Sequence, residues 1–344
     1  MKLFRWLVTA ALALCFCVVV FGAFVRLSDA GLGCPDWPTC YGHLGVPSTA
    51  EHVQQAEAAY PGRPVEHAKA WKEMIHRYGA STLGLLILGL ALLSFREGLP
   101  KALPRVLLLL VIGQGVLGMW TVTWLLKPLV VTAHLLGGMT TLALLCWLWL
   151  DTRPDPAQAS EDAPATPERE YRNERQAWAA ISATPQDEAS AAPTGVRIAA
   201  GFALALLAGQ IFLGGWTSTH YAALACPDLP TCQGQLWPEL HLKEAFTDHG
   251  VLDNPTRMTI HQLHRVGAFV VMIGFTLLGL WLRTLPRFRR YGQAILALLA
   301  LQLTLGVTLV LAHLPLLVAA AHSAGAALLL LAVITLNHAA YQKP

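Results

Sequence analysis

The sequence predicts an all-α integral membrane protein with eight transmembrane helices, arranged as two tandemly duplicated four-helix bundles. Three observations support this fold class: long uncharged apolar runs, a composition poor in charge, and short motifs that recur in both halves of the chain. Of the 344 residues, 55% are hydrophobic and 13% are charged, whereas soluble domains carry about 25% charged residues. The composition argues against a soluble enzyme, and a net charge of +3 is too small to indicate nucleic-acid binding.

The uncharged runs define the helices, because a bilayer core of about 30 Å needs about 20 apolar residues per helix. The first run is too long for the apolar core of a signal peptide and has no cleavage site after it, so it is predicted as an uncleaved helix. The fifth run is expected to extend past the membrane into a loop, and the last is long enough for two spans with a break at 313–315. The runs are 6–25, 78–95, 106–126, 128–150, 198–227, 266–282 and 291–342.

The distribution of Lys and Arg predicts that both termini face the cytoplasm. The short basic segment 283–290 then lies on the inner side, whereas the turns at 127–128 and 313–315 face outward. This orientation places the loops that carry paired cysteines on the outer side of the membrane.

One segment differs in kind from the apolar runs. Residues 151–195 are rich in Ala, Pro, Glu, Ser and Thr and show no apolar periodicity, which predicts a disordered cytoplasmic linker. A short helix at 168–180 is an alternative for part of it. The linker separates an N-terminal half, 1–150, from a C-terminal half, 196–344.

Short motifs recur between the two halves at a nearly constant shift. At 188 residues, IHRYGA at 75–80 aligns with LHRVGA at 263–268, and at 192 residues CPDWPTC at 34–40 aligns with CPDLPTC at 226–232. The four-residue difference falls in outer loops, where length changes are tolerated. Because four spans restore the starting side of the membrane, the duplication is predicted to be tandem and parallel.

The repeat gives each half two histidines 58 residues apart, His76 with His134 and His264 with His322. They are predicted near the outer ends of the second and fourth helices of each half, where two facing imidazoles can bind one iron. A lone intramembrane histidine is often only a polar contact between helices, but duplication of the pair favours a functional site. Two imidazoles in a dry bundle suit haem, whereas zinc requires three or four clustered ligands.

Arg77 and Arg265 each directly follow one of these histidines. Either they pair with haem propionates or they extend to the membrane interface, and the sequence leaves both open. Small residues after the histidines, such as Gly79 and Gly137, either admit a flat macrocycle close to the backbone or serve ordinary helix packing.

Glu73 is an informative difference between the halves, because His261 stands at the corresponding position. Positions i and i+3 share a helix face, so Glu73 is expected to face whatever His76 binds, where a carboxylate accepts a proton or stabilises positive charge. The alternative is a solvated carboxylate at the helix entrance. One half is therefore expected to host chemistry and the other a permanent cofactor.

The paired cysteines of the outer loops lie in an oxidising compartment. Cys34 with Cys40 and Cys226 with Cys232 enclose two prolines each, which turn the chain. A disulfide in each loop is expected, and a redox-active thiol pair in the first loop is the alternative.

Five motifs together resemble the haem A synthase family, Cox15/CtaA, of bacteria and mitochondria, over both halves and all of the chain except the linker. The resemblance implies an oxidoreductase that acts on a methyl group: it oxidises the C8 methyl of haem O to a formyl group and gives haem A for cytochrome oxidase. The motifs are RLSDAGLGCPDWPTCYG at 26–42, EMIHRYGA at 73–80, VTAHLLGG at 131–138, LHRVGA at 263–268 and AAAHSAGA at 319–326.

Carried over by position, the resemblance also implies ligands and partners. His76 and His134 would bind haem O or haem A, and His264 and His322 would bind haem b. Glu73 matches the family's essential carboxylate, and the first-loop cysteines match a pair conserved in the family's pattern. The implied setting is a bacterial inner membrane, with haem O synthase, cytochrome oxidase assembly factors and an unidentified electron acceptor as partners.

Two rival functions belong to other classes. A non-catalytic dihaem electron carrier would also use two histidine pairs, but it gives no reason for a carboxylate in only one half. A haem or small-molecule transporter would need a path to the inner face, whereas the histidines are predicted near the outer face.

Overall fold

The computed structural model describes residues 1–153, 192–246 and 252–342, and these residues fold into α-helices without a β-strand. A short 3-10 helix spans Pro286–Phe288. The α-helices are α1 (Lys2–Leu27), α2 (Ala50–Ala59), α3 (His67–Leu93), α4 (Ala102–Thr123), α5 (Pro128–Asp151), α6 (Thr194–Thr219), α7 (Leu242–Ala245), α8 (Asn254–Thr284), α9 (Arg289–Leu311) and α10 (Leu316–Tyr341).

Within these ranges, eight helices are long and apolar enough to cross a membrane, and only the short α2 and α7 are not. The chain is therefore a multi-pass membrane protein, and the predicted number of spans is confirmed. The fifth span ends at Thr219, so the apolar run predicted there does continue into a loop. Most of the predicted linker, and the whole of the helix expected at 168–180, lies outside the described residues.

Two spans begin more than ten residues earlier than the apolar runs predict. Helix α3 begins at His67 rather than at residue 78, and α8 begins at Asn254 rather than at residue 266. Asp253 caps α8, because its side chain accepts the backbone N–H of Thr256 at 3.0 Å, as N-cap residues commonly do. The additional turns contain charged residues, so the search for uncharged apolar runs did not include them. As a result, His76 lies well inside its helix.

The helices of each half pack against one another in corresponding pairs. In the N-terminal half α1 contacts α3 and α5, and α4 contacts α3 and α5; in the C-terminal half α6 contacts α8 and α10, and α9 contacts α8 and α10. The halves meet where α1 lies on α10 and α5 lies on α6 and α10. One apolar core runs through both halves and contains Phe4, Leu142, Phe275 and Leu330.

At the end of this interface next to the cysteine loops, residues that correspond in the repeat contact each other. Arg26 Nη2 donates to the carbonyl of Ser218 at 3.0 Å, and the Tyr221 hydroxyl donates to Asp29 Oδ1 at 3.4 Å. Both pairs are 192 residues apart, which is the shift of the loop motif. Contacts between equivalent positions are the arrangement expected beside a two-fold axis.

Different residues connect the halves at the opposite end of the interface. His338 Nε2 lies 2.7 Å from Asp151 Oδ1, and its ring packs edge-on against Trp147. Asn337 Nδ2 donates to the carbonyl of Ala200 at 2.9 Å. The last turn of α10 is thereby fixed to both α5 and α6.

Candidate functional site

In the N-terminal half, each predicted histidine packs against a glycine on a neighbouring helix. A Cβ built on Gly22 of α1 would lie 2.7 Å from His76 Cε1, and one built on Gly118 of α4 would lie 3.5 Å from His134 Cε1. The first distance is shorter than real Cβ contacts allow, so the His76 ring depends on the missing side chain of Gly22.

The C-terminal half repeats this arrangement. A Cβ on Gly214 of α6 would lie 3.1 Å from His264 Cε1, and one on Gly306 of α9 would lie 3.2 Å from His322 Cε1. In both halves, therefore, the second and the fourth span each carry a histidine that is seated against a glycine of a neighbouring helix.

The ring nitrogens of these histidines are incompletely satisfied by the protein. Nδ1 of His76, His134 and His322 is buried and has no hydrogen-bond partner in the described part of the chain, although each of these histidines is only half-buried overall. A neutral imidazole carries one donor and one acceptor nitrogen, and a buried unpaired polar atom costs about 1–3 kcal/mol. Each of these rings therefore keeps one nitrogen that a bound group could satisfy.

The donor set fits haem rather than a bare ion. Among the residues that the structure describes, no three His, Cys, Asp or Glu side chains come together as a metal cluster. Two imidazoles per half, with close-packed glycines beside them, match axial ligation of a haem iron, whereas a zinc site needs three or four protein ligands.

The carboxylate of Glu73 is buried, with 5% of the residue exposed, so the alternative of a solvated carboxylate is wrong. Its Oε2 accepts the backbone N–H of Cys34 at 2.9 Å, and its Oε1 accepts Arg77 Nη2 at 2.5 Å. Glu73 therefore links α3 to the first outer loop. Its predicted role toward a group bound by His76 stays a prediction.

Arg77 and Arg265 both hold the cysteine loops. Arg77 Nη1 donates to the carbonyl of Thr39 at 2.6 Å, and Arg265 Nη1 donates to that of Thr231 at 2.8 Å. Arg265 Nη2 also donates to the carbonyl of Cys226 at 2.7 Å. These contacts do not fit side chains that extend to the membrane interface. Pairing of the two arginines with haem propionates stays a prediction. The buried Nε of Arg265 has no protein partner among the described residues.

Both cysteine loops contain the expected disulfide. The sulfur atoms are 2.02 Å apart in Cys34–Cys40 and 1.97 Å apart in Cys226–Cys232. The first disulfide is buried against α3, where Cys34 and Cys40 pack with Ala70 and Met74. Each disulfide therefore lies against the second span of its half.

An aspartate organises each loop. Asp36 accepts the backbone N–H groups of Tyr41 and Gly42 at 2.6 and 2.9 Å, and Asp228 accepts those of Gln233 and Gly234 at the same distances. Hydrogen bonds from the Thr231 hydroxyl and these amides lower the pKa of Asp228 from 3.8 to about 2. The second loop is therefore built around an ionised carboxylate.

Sequence reasoning missed the glutamines beside the histidines. Each histidine is followed three residues later by a glycine, and in three cases a glutamine amide fills the space over that glycine: Gln114 over Gly137, Gln210 over Gly267, and Gln302 over Gly325. Gln302 Nε2 lies 3.2 Å from His322 Nε2. The sequence does show that Gln114 and Gln302 are 188 residues apart, the shift of the repeat. That spacing does not predict that these glutamines lie beside the histidines.

Fold and site together define a class of protein: a helical membrane protein with eight spans in its described part, whose halves each direct two histidines into a bundle. The family model COX15-CtaA, described as cytochrome oxidase assembly protein, matches residues 5–334. The chain belongs to this family.

Curated relatives are similar along nearly the whole chain. The "Heme A synthase" of Shewanella oneidensis is 41% identical over 98% of this chain and 97% of its own length. Those of a Chelativorans species and of Agrobacterium fabrum are each 28% identical, over 94% and 96% of this chain and 87% and 88% of their own.

Proposed function

We propose that this protein is a haem A synthase, an oxidoreductase that converts the C8 methyl of haem O to a formyl group. The observation that carries the proposal is the asymmetry between two otherwise equivalent histidine pairs: only one has a buried carboxylate, Glu73, in the turn before its first histidine. Similarity to curated haem A synthases over nearly the full length supports the same function.

The division of labour follows from this asymmetry. In our proposal the N-terminal half, 1–150, binds the substrate haem O and the product haem A through His76 and His134. The C-terminal half, 196–344, binds a resident haem b through His264 and His322. That haem supplies electron transfer when it is bound, and the segment 151–195 serves as a cytoplasmic linker.

Glu73 is the proposed catalytic residue. A carboxylate can accept a proton from water that adds at the oxidised methyl and can stabilise positive charge that develops there. Its contacts with Arg77 and with the amide of Cys34 hold the side chain in one place, which favours catalysis by a fixed rather than a mobile group. The first cysteine loop therefore acts as the positioning element for Glu73.

The proposed setting is a bacterial inner membrane with both termini in the cytoplasm, in keeping with the distribution of Lys and Arg. Haem O synthase would deliver the substrate, and cytochrome oxidase assembly factors would take the product. The electron acceptor is a further partner that the chain does not identify.

Haem extraction tests the proposal. The whole chain is produced beside a haem O synthase, and the extracted haems are separated by chromatography. Haem A together with haem b is expected, and Glu73→Gln is expected to reduce haem A formation by roughly 10²-fold or more, the usual contribution of a general acid or base. Glu66→Gln is the matched control, because Glu66 lies on the same helix entrance but is exposed.

Haem b alone in the wild-type protein would contradict the proposal and favour the dihaem electron carrier. Normal haem A formation by Glu73→Gln would leave the synthase intact but remove Glu73 from its catalytic role.

A further inference from the structure

Arg26, at the end of α1, is a largely buried cation whose charge is poorly compensated. Its side chain is 13% exposed, and its carboxylate partner among the described residues is Asp29, whose Oδ1 lies 3.8 Å from Arg26 Nη1 and whose side chain is 66% exposed. An exposed pair at this distance contributes little, and a buried charge without an anion is costly. The guanidinium of Arg26 therefore has room for a further anionic partner.

The other contacts of this guanidinium are with neutral groups. Nη2 donates to the carbonyls of Ser218 and Thr219 at 3.0 and 3.4 Å, and the centre of the Tyr221 ring lies 4.2 Å from the guanidinium carbon. Nε is buried and has no hydrogen-bond partner in the described part of the chain. The C-terminal half thus fixes the guanidinium and leaves one buried N–H donor free.

Arg26 lies one helical turn from the seat of His76. Gly22 precedes Arg26 by four residues and shares its face of α1, and a Cβ on Gly22 would lie 2.7 Å from His76 Cε1. A long helical side chain covers the turn that precedes its own Cα, which here is the turn of Gly22. Arg26 therefore borders the space beside His76, on the side of the first cysteine loop.

Arg77, for which the sequence predicts pairing with a propionate, is already engaged. Its Nη2 forms the ion pair with Glu73 Oε1, and its Nη1 donates to the carbonyl of Thr39 at 2.6 Å. The charge of Arg77 is thereby compensated within the protein, whereas that of Arg26 is not. Of the two arginines near His76, Arg26 is the better one for a bound anion.

The anion that suits this position is a haem propionate. The first span has no charged residue at 6–25, and the second has none from 78 to its end at 93. Charged groups near His76 therefore lie at the cysteine-loop end, and a carboxylate placed deeper would be buried without a cation. Charge-assisted hydrogen bonds between arginine and a carboxylate are among the strong ones.

We propose that Arg26, rather than Arg77, binds a propionate of the haem in the N-terminal half through its Nε–H. The same side chain donates to the backbone of Ser218, so Arg26 connects that haem site to the C-terminal half. Ser218 occupies the equivalent position there and supplies no cation. This inference rests on the proposed function and adds a binding residue to it.

Haem b dimethyl ester, in which both propionates are neutral, tests this contact. The whole chain with His264→Ala and His322→Ala keeps only the N-terminal site, and it is loaded in detergent with haem b or with the ester. Loss of each to excess apomyoglobin is timed, and the ester is expected to leave faster. Arg26→Met should lower the ratio of the two rates about 10- to 100-fold, the range for a hydrogen bond to a charged group.

The ratio separates propionate binding from a purely structural role. If Arg26 only joined the halves, Arg26→Met would accelerate the loss of haem b and of its ester equally, and the ratio would stay constant. If Arg26→Met retains no haem, Arg26→Lys replaces it, because lysine keeps the charge but lacks the Nε–H and should still lower the ratio.

Two controls locate the contact. Arg77→Met is the matched control, and it should leave the ratio unchanged. In a chain with His76→Ala and His134→Ala, which keeps only the C-terminal site, Arg26→Met should also leave the ratio unchanged.

An unchanged ratio in the Arg26 variants, a fall caused by Arg77→Met instead, or a fall confined to the C-terminal site would overturn this inference alone. Failure of both histidine pairs to bind haem would overturn the proposed function as well. The expected ratios in a protein that never forms haem A would overturn the proposed function but leave the role of Arg26 standing.

Discussion

Arg77 Nη2 lies 2.5 Å from Glu73 Oε1, and this buried ion pair has no equivalent among the described residues of the C-terminal half. There Arg265 donates to the carbonyl of Cys226 instead, and His261 Nδ1 accepts the Cys226 amide at 3.3 Å. Two loops of nearly identical sequence are therefore anchored to their helices by different chemistry.

This difference predicts unequal effects of removing the two arginines. Arg77→Met leaves the Glu73 carboxylate buried without its cation, and breaking a buried pair typically costs about 3–5 kcal/mol. Arg265 donates to backbone carbonyls, so Arg265→Met leaves no buried charge without a partner. This substitution is expected to lower the free energy of unfolding by about 1–3 kcal/mol, the cost of leaving buried polar groups without a hydrogen bond. Thermal unfolding in detergent compares the variants, and equal destabilisation by both would contradict the assignment.

The glycine notches predict which small substitutions the histidines tolerate. Gly22→Ala places a methyl group 2.7 Å from His76 Cε1, so the ring must move and haem binding by the N-terminal half should fall. Gly118→Ala is the control, because its methyl group would lie 3.5 Å from His134 Cε1, an ordinary contact. Haem content per polypeptide checks this. Equal haem content in both variants would show that the His76 ring adapts.

The second outer loop is predicted to loosen in acid. The folded pKa of Asp228 is lowered from 3.8 to about 2, chiefly by the Thr231 hydroxyl and then by backbone N–H groups. Because the folded pKa is depressed, its stabilising contribution is complete above about pH 4 and is lost as the pH falls through 2. Reduction of Cys226–Cys232 by a phosphine should therefore accelerate over this window.

Asp228→Asn is the control for this loop, since an amide does not titrate. It should give a reduction rate that is faster than wild type at neutral pH and flat between pH 4 and 2. A wild-type rate without a rise in the same window would refute the role of the carboxylate.

Arg26 is predicted to hold the two halves together at their outer ends. Its guanidinium donates to the carbonyls of Ser218 and Thr219 and lies 4.2 Å from the centre of the Tyr221 ring. Arg26→Ala should destabilise the protein by about 2–3 kcal/mol, from charged hydrogen bonds and a cation–π contact. Lys2→Ala, at the exposed inner end of the same helix, should have little effect in the same unfolding measurement.

Hydropathy was sufficient for the number of spans because a bilayer demands long uncharged segments. It was not sufficient for the start of α3, because the first turns contain Lys69, Lys72 and Glu73 and continue the helix beyond the apolar run. Those turns pack under the first cysteine loop rather than in lipid. Their helical state therefore depends on a tertiary contact that periodicity does not report.

The same limit applies to the site. The four histidines followed from the repeat, since identical residues recurred at fixed spacing. The partners of Glu73 did not, because they depend on how the chain between α1 and α2 returns to α3 and presents the Cys34 amide. Arg26 and Ser218 were visible as a mismatch in the repeat, but only the contacts of Arg26 give the mismatch a meaning.

The contact between Arg26 and Ser218 joins a position to its own copy. In a chain with a single half, two such molecules related by a two-fold axis would bring the same residue of each subunit together at this point. Such a contact is the arrangement that fusion of a symmetric homodimer into one chain would leave. An arginine that faced its own copy would repel it, whereas Arg26 donates to the backbone carbonyl of Ser218, so this contact requires the two positions to differ.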